Sequence, residues 1–199
     1  MKKLIGLLFV CSLLLGACGA PASPSQSAAA PSGTLPAHLH HVEISIKDYG
    51  VIKLELDSSA APLTVDNFLK LARQGFYSGL TFHRIMDGFM IQGGAPKSGS
   101  PAPDTIKGEF ASNGVKNPIL HKAGVISMAR AKNPDSASSQ FFITVAAAPH
   151  LDGDYAAFGH VTEGLEVAQK IAKDAKPIDN NGTILPNQQP VIESVTVID

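Results

Sequence analysis

The sequence predicts a mostly β fold, an eight-stranded antiparallel barrel closed on itself and capped by two α-helices. Eight short segments alternate or run apolar, two stretches carry a helical period, and Gly-, Pro- and Asp-rich turns separate them. In residues 41–46, Val42, Ile44 and Ile46 fall on one face, and Ile52, Leu54 and Leu56 repeat that period after the turn Lys47-Asp48-Tyr49-Gly50, which predicts a hairpin. Pro62 opens a helical pattern of Val65, Phe68, Leu69 and Ala72 that Gly75 closes. Strands are predicted at 80–85, 89–92, 125–129, 140–145 and 156–161, with turns such as Asp87-Gly88 and Asp152-Gly153 between them. Residues 163–173 form a second helical pattern, with Leu165, Ala168, Ile171 and Ala172 on its apolar side. In the last strand, 191–198, Val191, Glu193, Val195 and Val197 alternate with Ile192, Ser194, Thr196 and Ile198.

The chain has 199 residues and is 44% hydrophobic, enough for one globular domain. A body of about 160 residues buries roughly 70% of its extended-chain surface and folds without staples. Its two cysteines, Cys11 and Cys18, both precede that body, so no disulfide framework is available to it. Net charge is −1 and no Lys/Arg cluster follows Lys3, which gives no electrostatic footprint for nucleic acid. The chain is read as a monomer.

Residues 1–17 read as an export signal. A basic start is followed by twelve uncharged, mostly aliphatic residues, too few for the roughly 20 that span a bilayer. Leu15-Gly16-Ala17-Cys18 resembles the bacterial lipobox, which implies cleavage before Cys18, diacylation of its sulfur and a stable membrane anchor. Residues 18–36, uncharged and dominated by Ala, Ser and Pro, read as a disordered linker, and 37–199 as the folded domain. The expected location is outside the cytoplasm on a bacterial membrane. Where the host has two membranes, that is the outer one, facing the periplasm.

Little conventional catalytic chemistry is present. There is no nucleophile elbow, no spare cysteine and no phosphate-binding loop. His38, His40 and His41 cluster where linker meets first strand, without Cys or carboxylate at ligand spacing, and read as solvated surface rather than a metal site. Residues 97–122 form a long polar connection with no assignable chemistry. Strand period places Phe82 with Arg84, Met90 with Gln92, and Gln140 with Phe142. Together these would make a shallow groove with a guanidinium, two carboxamides and an apolar floor, suited to a small apolar ring and its adjoining backbone. No cofactor is called for.

Residues 82–94, Phe-His-Arg-Ile-Met-Asp-Gly-Phe-Met-Ile-Gln-Gly-Gly, are followed by Gly-Val-Ile-Ser-Met-Ala at 124–129, Ser-Gln-Phe-Phe-Ile at 139–143, Leu-Asp-Gly at 151–153 and Phe-Gly at 158–159. This order and spacing resembles the cyclophilins over about four-fifths of the chain. The resemblance implies a cyclophilin-like barrel that rotates the peptide bond before proline in polypeptide substrates. It implies that Arg84, Gln92 and Phe142 are catalytic. It also implies that His83, Phe89, Met90, Ala129, Arg130, Gln140, His150, Leu151 and Tyr155 contact substrate. Departures are local: His150 aligns with a frequent tryptophan, Tyr155 with a frequent histidine, and Arg130 with a frequent asparagine. The chain has no tryptophan, so tight cyclosporin binding is not carried over. The alternative is a proline-segment binding module or holdase with incidental turnover; Arg84 and Gln92 favour the enzyme, since a pure binder needs no guanidinium there.

Overall fold

A computed structural model describes residues 38–199. The export signal expected at 1–17, the lipidation expected at Cys18 and the linker expected at 18–36 all lie outside the described residues. Strands β1 (Leu39–Ile46) and β2 (Gly50–Asp57) form the predicted hairpin, with Val42, Ile44, Ile46, Ile52, Leu54 and Leu56 all buried. Helix α1 (Pro62–Arg73) follows, then β3 (Phe82–Met86), β4 (Met90–Gly93), β5 (Val125–Met128), β6 (Phe141–Thr144) and β7 (Ala157–Glu163). Helix α2 (Leu165–Asp174) and β8 (Ile192–Val197) complete the order. The second helix begins two residues later than its pattern suggests. Glu163 ends β7 and pairs with Lys53 at 2.7 Å, while Gly164 turns the chain at φ 83°.

All eight strands join one antiparallel sheet in the order β3-β4-β6-β5-β7-β2-β1-β8. The expected closure is not found: the sheet is an open half-barrel with β3 and β8 at its edges. Ahead of β3 its ends touch through one isolated bridge, Thr81 to Val191, with Phe82 N–H donating to Pro190 and Ile192 N–H to Leu80. Beyond that point the outer edge of β3 is already paired with residues 182–184. Ile85 N–H donates to Gly182 at 2.8 Å, and Ile184 N–H to His83 at 3.0 Å. A strand edge with its hydrogen bonds filled has no ladder to offer β8.

The core lies inside this curved sheet. Phe68, Tyr77, Phe82, Phe141 and Phe158 are fully buried, with Phe141 edge-on to Phe68 at 5.5 Å and to Tyr77 at 5.6 Å. Helix α1 packs against β8 and β2, and α2 against β2 and β4. The predicted alternation of β8 is broken by a bulge: Ser45 pairs with Ser194 but Ile46 pairs with Ile192, so Glu193 is extra. Ile192 and Val195 consequently face inward together, three residues apart.

The long connection, left without chemistry by composition, caps α1. Ala61 provides no side-chain cap, and the buried Glu109 carboxylate accepts from Leu63 N–H at 3.0 Å, Thr64 N–H at 2.8 Å and Thr64 Oγ1 at 2.7 Å. The histidine cluster also differs from a solvated patch. His41 is exposed and bonded to Asp199, but His40 is buried with its ring 3.8 Å from that of His38.

Candidate active site

The groove is built on the outer face of β3, β4, β6 and β5. Its placement depends on a second bulge. Phe82 pairs with Gly93 and Arg84 with Gln92, which leaves His83 as an extra residue. Phe82 therefore points into the core and Arg84 to the outer face, so the shared face predicted for them is corrected. Past the bulge the register is regular. Arg84 lies opposite Gln92, Gln92 opposite Phe142, and Phe142 opposite Ser127, one row across four strands.

Arg84 is held on three sides. Its Nε donates to the Asn181 carbonyl at 2.7 Å, Nη1 to Gln92 Oε1 at 3.2 Å, and Nη2 lies 3.4 Å from Met86 Sδ. The Gln92 amide nitrogen in turn donates to Gln140 Oε1 at 3.1 Å. Asn181 belongs to a turn built on Asp179, whose Oδ1 accepts from the N–H groups of Asn181 and Thr183, both at 3.0 Å. Those backbone donors, Thr183 first, hold the Asp179 carboxyl below its ordinary range. Gly182 lets this turn cross β3 closely: a Cβ there would lie 2.5 Å from the Ile85 carbonyl at a φ of +83°.

The floor is a small apolar cluster distinct from the main core, formed by Met90, Phe142, Ala148 and Leu151 with Met86, Phe89, Ala129 and Tyr155 beside it. Behind Phe142 lies a group that sequence reasoning missed. The His121 ring is nearly parallel to Phe142, with centroids 6.0 Å apart. Its Nδ1 is 2.9 Å from Asp152 Oδ1 and its Nε2 is 3.1 Å from Ser127 Oγ. Asp152 can only accept, so Nδ1 carries the proton and Nε2 accepts from the serine. Burial pushes the His121 imidazole below its ordinary pKa, against the pull of Asp152. Serine, histidine and aspartate in this order resemble a hydrolase triad, but Ser127 is fully buried and no substrate carbonyl reaches it. The trio is a brace for the Phe142 ring.

The groove encloses about 120 Å³. Arg84, Gln92, Arg130 and Tyr155 line it together with the apolar Phe89, Met90, Ala129, Phe142 and Leu151. Three expected contacts stand outside that lining. His150 packs its ring on Phe89 at 5.3 Å, and Gln140 accepts the hydrogen bond from Gln92. His83 sits in the bulge, where burial holds its imidazole below the ordinary value against contacts from Thr81 and Gln140. Among the described residues no group of three or more His, Cys, Asp or Glu side chains is placed to hold a metal. The groove therefore offers a fixed cation, an orienting amide and an apolar ring pocket, with neither nucleophile nor general base in its lining.

Comparison with known proteins identifies the family. The family model described as cyclophilin type peptidyl-prolyl cis-trans isomerase/CLD matches residues 41–197. Peptidyl-prolyl cis-trans isomerase B of Bacillus subtilis (strain 168) is 48% identical over 129 residues, which cover 64% of this chain and 87% of the relative. Peptidyl-prolyl cis-trans isomerase A of Dickeya dadantii (strain 3937) is 42% identical over 161 residues, 75% of this chain and 80% of the relative. Among solved structures, a Cryptosporidium parvum cyclophilin type peptidyl-prolyl cis-trans isomerase superposes with a TM-score of 0.69 at 29% identity. It covers 81% of this chain and 99% of that one. The same parasite protein solved in the presence of the dipeptide Ala-Pro gives 0.68 at 29% identity, covering 80% and 99%. With its eight-stranded sheet, its groove and a match over residues 41–197, this chain belongs to the cyclophilin-type peptidyl-prolyl cis-trans isomerases.

Proposed function

We propose that the chain speeds rotation about Xaa-Pro bonds in exported polypeptides while anchored to a membrane through Cys18. The observation that carries the catalytic part is Arg84, fixed by Asn181 and Gln92 at the rim of a pocket the size of one small ring. Uncatalysed rotation faces a barrier of about 18–20 kcal/mol, because it breaks amide resonance. As the bond twists, the proline nitrogen pyramidalises and gains a lone pair. A guanidinium N–H aimed at that lone pair stabilises the twisted state and has nothing to bind in the planar one. Phe89, Met90, Phe142 and Leu151 grip the proline ring, Gln92 orients Arg84, and Ala129, Arg130 and Tyr155 meet the rest of the peptide. The relative crystallised in the presence of Ala-Pro supports a proline-containing ligand for this groove.

Rotation needs no proton transfer and no covalent intermediate, which suits a lining without nucleophile or base. The test is isomerisation of a short Xaa-Pro peptide by the full chain. Arg84→Ala is expected to lose about 100-fold or more in kcat/KM, the scale of removing one preorganised donor. A folded Arg84→Ala protein with full activity would sink the assignment.

Export and anchoring rest on the basic start, the apolar stretch at 4–15 and the Leu15-Gly16-Ala17-Cys18 sequence. Cellular fractionation checks them: the wild-type chain is expected with membranes and labelled by a fatty-acid probe, and Cys18→Ala with neither property. Label on the Cys18→Ala chain would refute acylation at that position. Action as a monomer is part of the same proposal and is read by sedimentation of the detergent-solubilised chain.

A further inference from the structure

Arg84 shares the groove with a second guanidinium, that of Arg130. It lies over two aromatic rings, with Cζ 4.7 Å from the Tyr155 centroid and 5.0 Å from that of Phe110. Nε donates to the Asp154 carbonyl at 3.0 Å and Nη1 to the Ala131 carbonyl at 3.1 Å. Two rings and two carbonyls thus fix a side chain that is ordinarily mobile, and every one of these partners is neutral. No carboxylate lies within 4 Å of either Arg84 or Arg130 among the described residues, and no Asp or Glu lines the space between them.

Two half-buried cations without counter-ions give the groove a positive field. Arg130 uses two of its five N–H donors on backbone, and the planar fork of a guanidinium matches a carboxylate. The stacking on Tyr155 also ties this charge to the floor, because Tyr155 stands edge-on to Phe142 at 5.8 Å. A ligand that brings a carboxylate alongside its proline supplies the counter-charge that the protein itself lacks.

We propose that Arg130 is a specificity-determining residue that makes the groove prefer proline segments with an acidic side chain adjacent to the proline. This rests on the isomerase reading, in which the proline ring fills the pocket next to Arg84. Rates and affinities are measured with peptides identical except for Glu, Gln or Lys, placed in turn on either side of the proline. The expected order is Glu over Gln over Lys, with kcat/KM about threefold to fivefold higher for Glu than for Lys. The spread is expected at about 20 mM salt and narrows at about 0.5 M.

Arg130→Lys keeps the order, and Arg130→Gln narrows the Glu-to-Lys ratio toward one whatever happens to the absolute rates, with a ratio as large as that of the wild type overturning the role of Arg130. Equal rates for all peptides with the wild-type chain would overturn the preference and leave isomerisation standing. If no peptide is turned over, the isomerase reading falls instead, and peptide affinities from NMR titration decide the charge preference alone: Glu bound best supports it, and equal affinities overturn it.

Discussion

The Nε of Arg84 and the carbonyl of Asn181 meet at 2.7 Å, although 97 residues separate them in the chain. The geometry of the groove cation is therefore set by a turn that no local pattern around Arg84 reveals. Gly182→Ala tests this link. Its Cβ would press on the Ile85 carbonyl and on Met86 Cγ at 2.6 Å, in a backbone conformation that disfavours alanine. The variant is expected to lose about 1–3 kcal/mol of stability by urea titration. A fall in kcat is expected as well, measured under conditions where the protein stays folded. Full kcat in a destabilised Gly182→Ala protein would show that Asn181 does not position Arg84.

Gln92 is expected to matter through Arg84. Gln92→Ala removes the acceptor of Nη1 and should lower kcat about tenfold with little change in KM, the signature of an interaction expressed in the transition state. Gln92→Glu keeps the shape but places a carboxylate on the guanidinium, which then competes with the proline nitrogen for its donors. It should be slower than wild type, and more so at low salt. Steady-state kinetics at two ionic strengths separate the two variants.

Glu109 supplies the anion at the start of α1 through three hydrogen bonds while almost fully buried. Glu109→Ala leaves two backbone donors and a hydroxyl without partners, and a loss of about 2–3 kcal/mol is expected. Glu109→Gln, which can accept but carries no charge, should fall between that value and wild type. Chemical denaturation midpoints check both.

Stability should also fall as the solution is acidified from pH 8 toward 5. Burial sets the folded-state pKa of His121 and of His83 below the ordinary 6.5. The unfolded chain then takes up these protons first. The contribution of each neutral imidazole is complete above pH 6.5 and is lost as pH drops below it toward the folded value. His41 moves oppositely, raised by Asp199, but it is exposed and solvent screens it. His121→Asn should flatten the acid slope of the denaturation midpoint. An unchanged slope would mean that other groups carry it.

Much of this architecture is legible from periodicity alone. The first hairpin, α1 and the order of eight strands follow from alternation and from Pro and Gly punctuation, all of which are local signals. Two one-residue bulges defeat that reasoning. An extra His83 rotates Phe82 into the core and Arg84 away from it, and an extra Glu193 does the same to β8, because a period of two has no memory of an inserted residue. Barrel closure fails for a related reason: which segment fills the edge of β3 is decided by chain far downstream. The Asp179-Asn180-Asn181-Gly182 run does signal a turn, but nothing in it points to Arg84. Likewise His121, Ser127 and Asp152 are ordinary residues in sequence and become a brace only once β5 and the 152 turn converge behind Phe142.

Neighbouring residues of the groove strands serve opposite masters. Phe141, Ile143, Ile126 and Ile91 pack inward, while Phe142, Ser127 and Gln92 face the groove side. Because the two apolar clusters share strands but not side chains, recognition can drift by single substitutions on one face while the residues that hold the sheet together stay untouched. The pleat of four strands gives this enzyme a separable module for adaptation, one in which a new ligand preference and a preserved fold can be inherited together.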